Sequence, residues 1–350
     1  MAAAAVLFAA AVLLSLRKKQ DGAWLDREDT TALRGVLAVF ILFVHLPDAC
    51  RYFSDGYAET FEPFIFQGHL AVGVFFALSG YGLAVSAGRG LAGFFRRRFF
   101  EVLLPYFLCS LVFLMASGVR GEAVGVADMV KSWFSGDPLV TYSWYVVTQL
   151  IFYVFFYAAF RFFSGRKMKI AALFLCVLVY MLLVPRFGWP LVTTRGCLTF
   201  VLGAACGAYK SELDAFFAEK TAGRWVLVSG ILFLISHVLY FAVPFFKAHP
   251  VFDFSSAWFA VFIFLLSRII VPAGPLFHGL GNLSLEIYLY QGLAFIAARM
   301  LLLRFGTGNI FAYALASILL AAAGACAVHF TYGAVRAFLV KTSIFKDKSA

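Results

Sequence analysis

The chain consists largely of long apolar runs, and this feature constrains its fold more than any other. Successive runs of 15 to 24 residues are long enough to span, or nearly span, the hydrocarbon core of a bilayer. Hydrophobic residues make up 63% of the 350 residues and charged residues only 13%, whereas a soluble domain carries about 25% charged residues. A membrane β-barrel would show short segments of alternating polarity instead. The sequence therefore predicts an all-α, polytopic integral membrane protein with about 10–11 transmembrane helices in one bundle.

The distribution of Lys and Arg predicts how these helices are oriented. The predicted spans are 2–16, 31–48, 67–86, 99–118, 144–163, 170–184, 191–209, 225–243, 254–271, 283–302 and 310–333. If residues 2–16 run from the outside inward, 21 of the 29 Lys and Arg residues fall on cytoplasmic segments and helix ends, as the positive-inside rule requires. The net charge of +11 is thus a sign of membrane topology and does not indicate nucleic-acid binding.

The span at 31–48 carries three polar side chains on what would be one helix face. Arg34 and His45 are eleven positions apart, and eleven steps of about 100° return to within roughly 20° of the starting direction. Asp48 follows His45 by about one turn. Ionisable groups are costly in lipid, so the three form a site hypothesis. The alternative is that Arg34 extends to the cytoplasmic headgroups and His45 hydrogen-bonds a neighbouring helix.

Other polar residues also lie within predicted spans. Arg195 and Glu286 each need a partner or a wet cavity, and a buried pair between the two is one possibility. His69 is the second candidate histidine, near the outer end of its helix. The six cysteines have neither metal-ligand spacing nor the pattern of a disulfide framework, so we predict no metal site.

Several short motifs follow one another along the chain. They are Leu33-Arg34-Gly35 with His45; Val72, Phe75, Phe76, Ser79, Gly80 and Tyr81; Arg96–Arg98 with Pro105 and Tyr106; Trp144 and Tyr145 with Tyr153; and Gly281, Ser284, Leu285, Tyr288, Leu289 and Gln291. In order and spacing they resemble the membrane acyltransferases that include O-antigen, exopolysaccharide and peptidoglycan O-acetylases, known as acyltransferase family 3. Four positions depart from the family pattern: Ala71, Gly73, Leu285 and Gln291.

The resemblance covers about residues 31 to 335 and implies a division of the chain. Residues 1–30 would be an extra N-terminal transmembrane segment with a cytoplasmic linker, 31–335 the acyltransferase core, and 336–350 a cytoplasmic tail. The implied activity is transfer of an acyl group, typically acetyl, from cytoplasmic acyl-CoA to a hydroxyl of an extracytoplasmic glycan or cell-envelope precursor. The protein would lie in the plasma or inner membrane, with the lipid bilayer, acyl-CoA and the glycan as its partners.

The resemblance also implies roles for the residues of the first two motifs and the arginine cluster. His45 would be the general base on the acceptor hydroxyl, or would itself be acylated transiently. Asp48 could orient the imidazole. Arg34 and the cluster Arg96, Arg97 and Arg98 could bind CoA phosphates, although the cluster could instead anchor its helix at the lipid headgroups. Ser79 and its neighbours could let the donor approach or could serve helix packing.

The remaining candidates would bind the acceptor. They are Trp144, Tyr145, His69, Arg195, Glu286 and Tyr288. Trp144 and Tyr145 could equally belong to the belt of aromatic residues at the membrane interface. A transporter or flippase of a lipid-linked glycan is the alternative function. It would also place arginines and aromatic residues in a cavity, but it would have no need of a histidine on the Arg34 stripe.

Overall fold

The computed structural model describes residues 2–19, 25–51, 64, 66–119, 121, 124–217 and 219–341. Within these residues the fold is almost wholly helical. Its α-helices are α1 (Ala2–Ser15), α2 (Arg27–Arg51), α3 (Gly68–Ala87), α4 (Phe94–Arg98), α5 (Leu104–Val119), α6 (Val126–Phe134), α7 (Trp144–Phe162), α8 (Arg166–Leu183), α9 (Leu198–Ala208), α10 (Lys210–Phe216), α11 (Glu219–Ala242), α12 (Pro244–Ala248), α13 (Phe254–Leu266), α14 (Pro275–Asn282), α15 (Ser284–Arg304) and α16 (Ile310–Lys341). A π-helical turn, Phe99–Leu103, joins α4 to α5.

Nine helical stretches in the described part of the chain are long and apolar enough to cross a membrane. This confirms the prediction of an all-α, multi-pass protein. The other two predicted spans are also helical but shorter, because α1 has 14 residues and α13 has 13. A helix of 14 residues is about 21 Å long, less than the roughly 30 Å of the hydrocarbon core. That the N-terminal segment crosses the membrane therefore stays a prediction.

The predicted cytoplasmic linker begins with a short strand instead of a loop. Leu16–Lys18 (β1) pairs antiparallel with Ile270–Pro272 (β2), just before α14. The Lys19 ammonium pairs with the Asp29 carboxylate, and both side chains are buried. A strand of three residues has no recognisable period, and its partner lies some 250 residues away in sequence. Local pattern could not predict this pairing.

Glycines bring α3 and α9 into close contact. A Cβ added at Gly80 would lie 2.1 Å from the carbonyl oxygen of Phe200, and one added at Gly203 would lie 1.9 Å from that of Ala77. Only a residue without a side chain permits such an approach, which is the common basis of helix association in lipid. The packing interpretation therefore accounts for Gly80, the neighbour of Ser79.

A second close contact holds the predicted cytoplasmic half of α2 against α14. A Cβ added at Gly35 would lie 2.1 Å from the Phe277 carbonyl oxygen, and one added at Gly281 would lie 1.8 Å from that of Thr31. Gly35 follows Arg34, so this contact fixes the depth and rotation of α2 and of the polar residues it carries.

Four helix ends meet at the predicted outer side of the bundle. They are the end of α2, the start of α3, the end of α11 and the start of α13. Gly68, which begins α3, lies against α2, since a Cβ added to it would be 3.0 Å from Val44 Cγ1. The residues next to Val44 and Gly68, which are His45 and His69, thus lie on neighbouring helices at the same end of the molecule.

Candidate active site

His45 is held by a buried glutamine on α15. Its Nδ1 lies 2.9 Å from Oε1 of Gln291, a fully buried side chain. The Nε2 group of Gln291 donates to the Tyr288 carbonyl at 2.8 Å, which leaves Oε1 as the acceptor of the amide. His45 Nδ1 must therefore carry the proton, and in the neutral ring Nε2 carries the lone pair. In this tautomer Nε2 is the ring nitrogen that can accept a proton.

A tyrosine covers one face of the His45 ring. The Tyr142 ring is stacked on the imidazole, with the centroids 4.0 Å apart and the planes 9° from parallel. Tyr142 has a φ of 69°, the only positive φ of a residue other than glycine among the described residues. Such a left-handed backbone costs roughly 1 kcal/mol or more and is typical of functional sites. The hydroxyl of Tyr288 donates to the carbonyl oxygen of Tyr142 and so helps to hold this conformation.

Aromatic and polar side chains connect the His45 site to Arg34. The Tyr288 ring contacts Tyr145 edge to face at 5.6 Å. The phenol groups of Tyr145 and Tyr153 and the carboxylate of Glu101 lie within electrostatic range of the Arg34 guanidinium. Arg34 itself donates to the Thr30 carbonyl and the Thr31 hydroxyl, both at 3.2 Å. The structure therefore brings together Arg34, His45, Tyr145 and Tyr288, four of the predicted residues.

The three arginines of the cluster differ in their surroundings. Arg96 and Arg97 are exposed, whereas Arg98 is half-buried. Arg98 Nη2 lies 2.8 Å from Glu101 Oε2, and its guanidinium lies 5.4 Å from the centre of the Tyr153 ring. Because Arg34 also lies in electrostatic range of Glu101 and Tyr153, Arg98 extends the charged group that surrounds Arg34.

Two predicted residues, His69 and Arg195, meet in a separate cluster on α3, α11 and the segment before α9. The His69 ring is stacked on the Tyr240 ring at 4.4 Å, and Arg195 Nη1 donates to the Tyr240 hydroxyl at 2.8 Å. His69 Nε2 faces Asp253 Oδ1 at 4.0 Å. We call His69, Arg195, Tyr240 and Asp253 the outer cluster.

The suggested pair between Arg195 and Glu286 is wrong. Arg195 bonds to Tyr240, whereas Glu286 Oε1 pairs with His329 Nδ1 at 2.7 Å. Glu286 lies in the first turn of α15, next to the later part of α16. The partners of Arg195 and Glu286 depend on which helices pack side by side. The sequence does not show which helices are neighbours.

Three other predicted residues, Trp144, Ser79 and Asp48, lie on α7, α3 and α2. Trp144, the first residue of α7, packs against the apolar core. Ser79 is half-buried next to the close contact of α3 with α9. Asp48 is half-buried on α2, and the Nδ1 atom of His45 is hydrogen-bonded to Gln291. A role for Asp48 in orienting the imidazole stays a prediction, as do the roles of Trp144 and Ser79.

Sequence reasoning missed Gln291 and Tyr142 as members of the site. A signal existed for Gln291, because it stands where the family motif has a histidine, and that position faces His45. Tyr142 had no such signal, because its backbone conformation and its stacking arise only from tertiary packing. Across the described residues, no three His, Cys, Asp or Glu side chains are grouped so that they could hold a metal ion.

Comparison with known proteins gave one match. A family model described as an acyltransferase domain, that of acyltransferase family 3, matches residues 23–329. No curated protein and no solved structure matched the chain. The matched residues include β2, the residues around His45 and the outer cluster, whereas β1 lies before them.

Proposed function

Because the chain belongs to acyltransferase family 3 and has the helices of a multi-pass membrane protein, we propose that it is an O-acyltransferase of the inner or plasma membrane. It moves an acyl group, acetyl in the simplest case, from cytoplasmic acyl-CoA to a hydroxyl of an extracytoplasmic glycan or cell-envelope precursor. The observation that carries the proposal is the hydrogen bond from His45 Nδ1 to Gln291, because it leaves Nε2 as a base.

In the proposed reaction His45 Nε2 takes the proton of the acceptor hydroxyl while the hydroxyl oxygen attacks the thioester carbonyl. The C–S bond then breaks, an ester forms, and the leaving CoA sulfur receives the proton from the imidazolium. Gln291 keeps the ring in the reactive tautomer throughout, since its Oε1 accepts from Nδ1 in both charge states. In a second route Nε2 attacks the thioester carbonyl, the C–S bond breaks and CoA leaves as the thiolate. The acceptor hydroxyl oxygen then attacks the acyl-imidazole, the N–acyl bond breaks to restore neutral His45, and the hydroxyl proton passes to the CoA thiolate.

The donor would approach from the end that carries the arginine cluster. Arg96 and Arg97 are exposed, so both guanidinium groups are accessible to CoA phosphates from the cytoplasm. An open cavity of about 510 Å³ lies on the same side, lined by Leu91, Tyr157, Phe160 and Arg161 among others. Its Tyr157 ring contacts Phe95, the neighbour of Arg96, at 4.6 Å. Arg34 lies in the first half of α2, the helix that also carries His45.

The test is acyl transfer by purified protein in proteoliposomes, with radiolabelled acetyl-CoA and a cell-envelope glycan fraction. We expect His45→Ala to lower the rate by about 10² to 10⁴, the usual contribution of a general base. His249→Ala is the matched control, because His249 is exposed and bonds only to the Phe245 carbonyl within its own helix end. Full activity of His45→Ala at equal protein would refute the catalytic assignment. Movement of the glycan without consumption of donor would favour the transporter instead.

A further inference from the structure

The outer cluster contains one donor and one acceptor that have no hydrogen-bond partner among the described residues. His69 is buried, and its Nδ1 donates to the Phe66 carbonyl at 2.8 Å, so Nε2 carries the lone pair of the neutral ring. That Nε2 is unpartnered, as is the buried Nε of Arg195. Both groups contact Tyr240, the arginine at the hydroxyl and the histidine at the ring face. Buried polar atoms are costly when unpaired, so this pair calls for a ligand.

The Asp253 carboxylate restricts the kind of ligand that can bind, because it places a second hydrogen-bond acceptor near His69 Nε2. Its two oxygens accept from the Ser256 backbone NH at 3.0 Å and the Ser256 hydroxyl at 2.7 Å, which holds it in place. Oδ1 is 4.0 Å from His69 Nε2, too far for a direct hydrogen bond. One ligand oxygen could nevertheless lie about 2.8 Å from both His69 Nε2 and Asp253 Oδ1, and so within hydrogen-bond distance of each. The cluster therefore offers two acceptors, His69 Nε2 and Asp253 Oδ1, and one donor, Arg195 Nε.

The helices around the cluster are locked together, so the cluster is formed in advance of binding. The Ser256 hydroxyl oxygen lies 3.0 Å from the His69 carbonyl oxygen, and the Thr199 hydroxyl donates to the Gly73 carbonyl. A Cβ added at Gly196, the neighbour of Arg195, would lie 3.2 Å from the Gly73 Cα. These contacts tie α3, α9 and α13 together around the unpartnered atoms.

We propose that the outer cluster binds a hydroxyl group of the glycan acceptor. A hydroxyl is at once a donor and an acceptor, so it can donate to His69 Nε2 or Asp253 Oδ1 while it accepts from Arg195 Nε. Gly68 packs against Val44, so the helix of His69 adjoins the helix of His45 at the same end of the bundle. This proposal rests on the proposed function and deepens it. One sugar hydroxyl is held by the outer cluster while another is presented to His45 Nε2.

The test is direct binding of sugars to the full chain in lipid nanodiscs, measured by saturation-transfer NMR. The probes are methyl glucoside and methyl N-acetylglucosaminide, with tetrahydropyran as a ring that has no hydroxyl group. We expect transfer to at least one glycoside and none to tetrahydropyran. Arg195→Gln and His69→Phe should each reduce the glycoside signal at least fivefold. Arg186→Gln, an arginine in an exposed turn, should leave the signal unchanged.

The outcomes separate this proposal from the proposed function. His45→Ala should still bind the glycosides, because His45 is outside the cluster. Glycoside binding by a wild-type protein that lacks acyl transfer would refute the enzymatic proposal alone. Equal glycoside signals in wild type, Arg195→Gln and His69→Phe would overturn the outer cluster as the site. No glycoside signal in a folded wild-type protein would mean that the outer cluster binds only water. Thermal unfolding of each variant confirms folding, and Arg195→Gln keeps the test valid if His69→Phe does not fold.

Discussion

Two residues that the sequence did not assign to the site, Gln291 and Tyr142, hold the His45 ring in its orientation. Gln291 selects the tautomer from one side, and Tyr142 covers one face of the ring. With Nδ1 bonded and one face covered, the Nε2 edge is the part of the imidazole that remains for chemistry. The orientation of His45 therefore depends on two helices and a loop, although the residue itself is visible in the sequence.

At the residue scale we predict that Gln291→Leu lowers kcat by about 10², because the imidazole loses the acceptor that fixes its tautomer. Gln291→Glu is the matched variant. It can still accept a hydrogen bond from Nδ1, so it should keep more activity than the leucine variant. The KM for acetyl-CoA should change little in both. The measurement is steady-state acyl transfer, and equal activity of the two variants would contradict the role given to Gln291.

At the scale of elements, two helix pairs with glycine contacts place the active-site helices. In the contact of α3 with α9, α3 bears His69 and α9 begins shortly after Arg195. In the contact of α2 with α14, α2 bears Arg34. Lipid offers no hydrophobic driving force for helix association, so van der Waals packing of close backbones must supply much of it. α2 and α3, which bear Arg34, His45 and His69, are thus each held at a position where no side chain fits.

We predict that Gly80→Val greatly reduces the amount of folded protein. Its Cβ would lie 2.1 Å from the Phe200 carbonyl oxygen, and the two helices would have to separate. Overpacking of this kind costs about 1–3 kcal/mol or more. Gly82→Ala, on the same helix, has no atom within 4 Å of its added Cβ and serves as the control. Thermal unfolding in detergent is the measurement, and equal melting temperatures would contradict the packing role of Gly80.

A charged network ties the predicted cytoplasmic helix α10 to the end of α13. Asp214 accepts from Lys210 Nζ at 2.9 Å and from Arg268 Nη1 at 2.7 Å. Partial burial acts to raise the pKa of Asp214, but these hydrogen bonds outweigh it and hold the pKa below its usual value. Arg268 is buried, so loss of the carboxylate would leave a buried cation with a weaker partner.

We predict that Asp214→Asn lowers stability by about 1 kcal/mol at pH 7, a modest value because Asp214 is partly exposed. The folded pKa is lowered, so the stabilisation is present above the unfolded pKa of about 3.9 and is lost as the pH falls through the folded value. The difference in melting temperature between wild type and variant should therefore disappear in acid. Glu212→Gln, in the exposed pair with Arg166, should have little effect at any pH. A constant difference from neutral to acid pH would exclude this linkage.

At the scale of the whole molecule, the candidate site is divided between two sides of the bundle. The arginine cluster and Arg34 lie toward the predicted cytoplasmic side, and His45 with the outer cluster lies toward the other. Such a division suits a reaction whose donor and acceptor arrive from opposite sides of a membrane. It also means that loss of donor binding and loss of acceptor binding should be separable by mutation.

We predict that replacement of Arg96, Arg97 and Arg98 by Lys raises the apparent KM for acetyl-CoA and leaves the membrane orientation unchanged. Lys keeps the positive charge that sets topology but lacks the planar fork that binds phosphate at two points. Acyl transfer over a range of acetyl-CoA concentrations measures the first effect, and reporters fused after residues 120 and 210 measure the second. Unchanged kinetics would assign the cluster to anchoring and leave donor binding to Arg34.

The sequence by itself determined the fold class, most of the spans, and the pairing of Arg34 with His45 on one helix. These features depend on composition and on a period of 3.6 residues, and both are local. The tertiary structure alone decided that Gln291 contacts His45, that Glu286 pairs with His329 instead of Arg195, and that residues 16–18 form a strand with 270–272. Each of these contacts joins segments tens to hundreds of residues apart. Their geometry depends on which helices pack together and at what depth, and no local pattern records that.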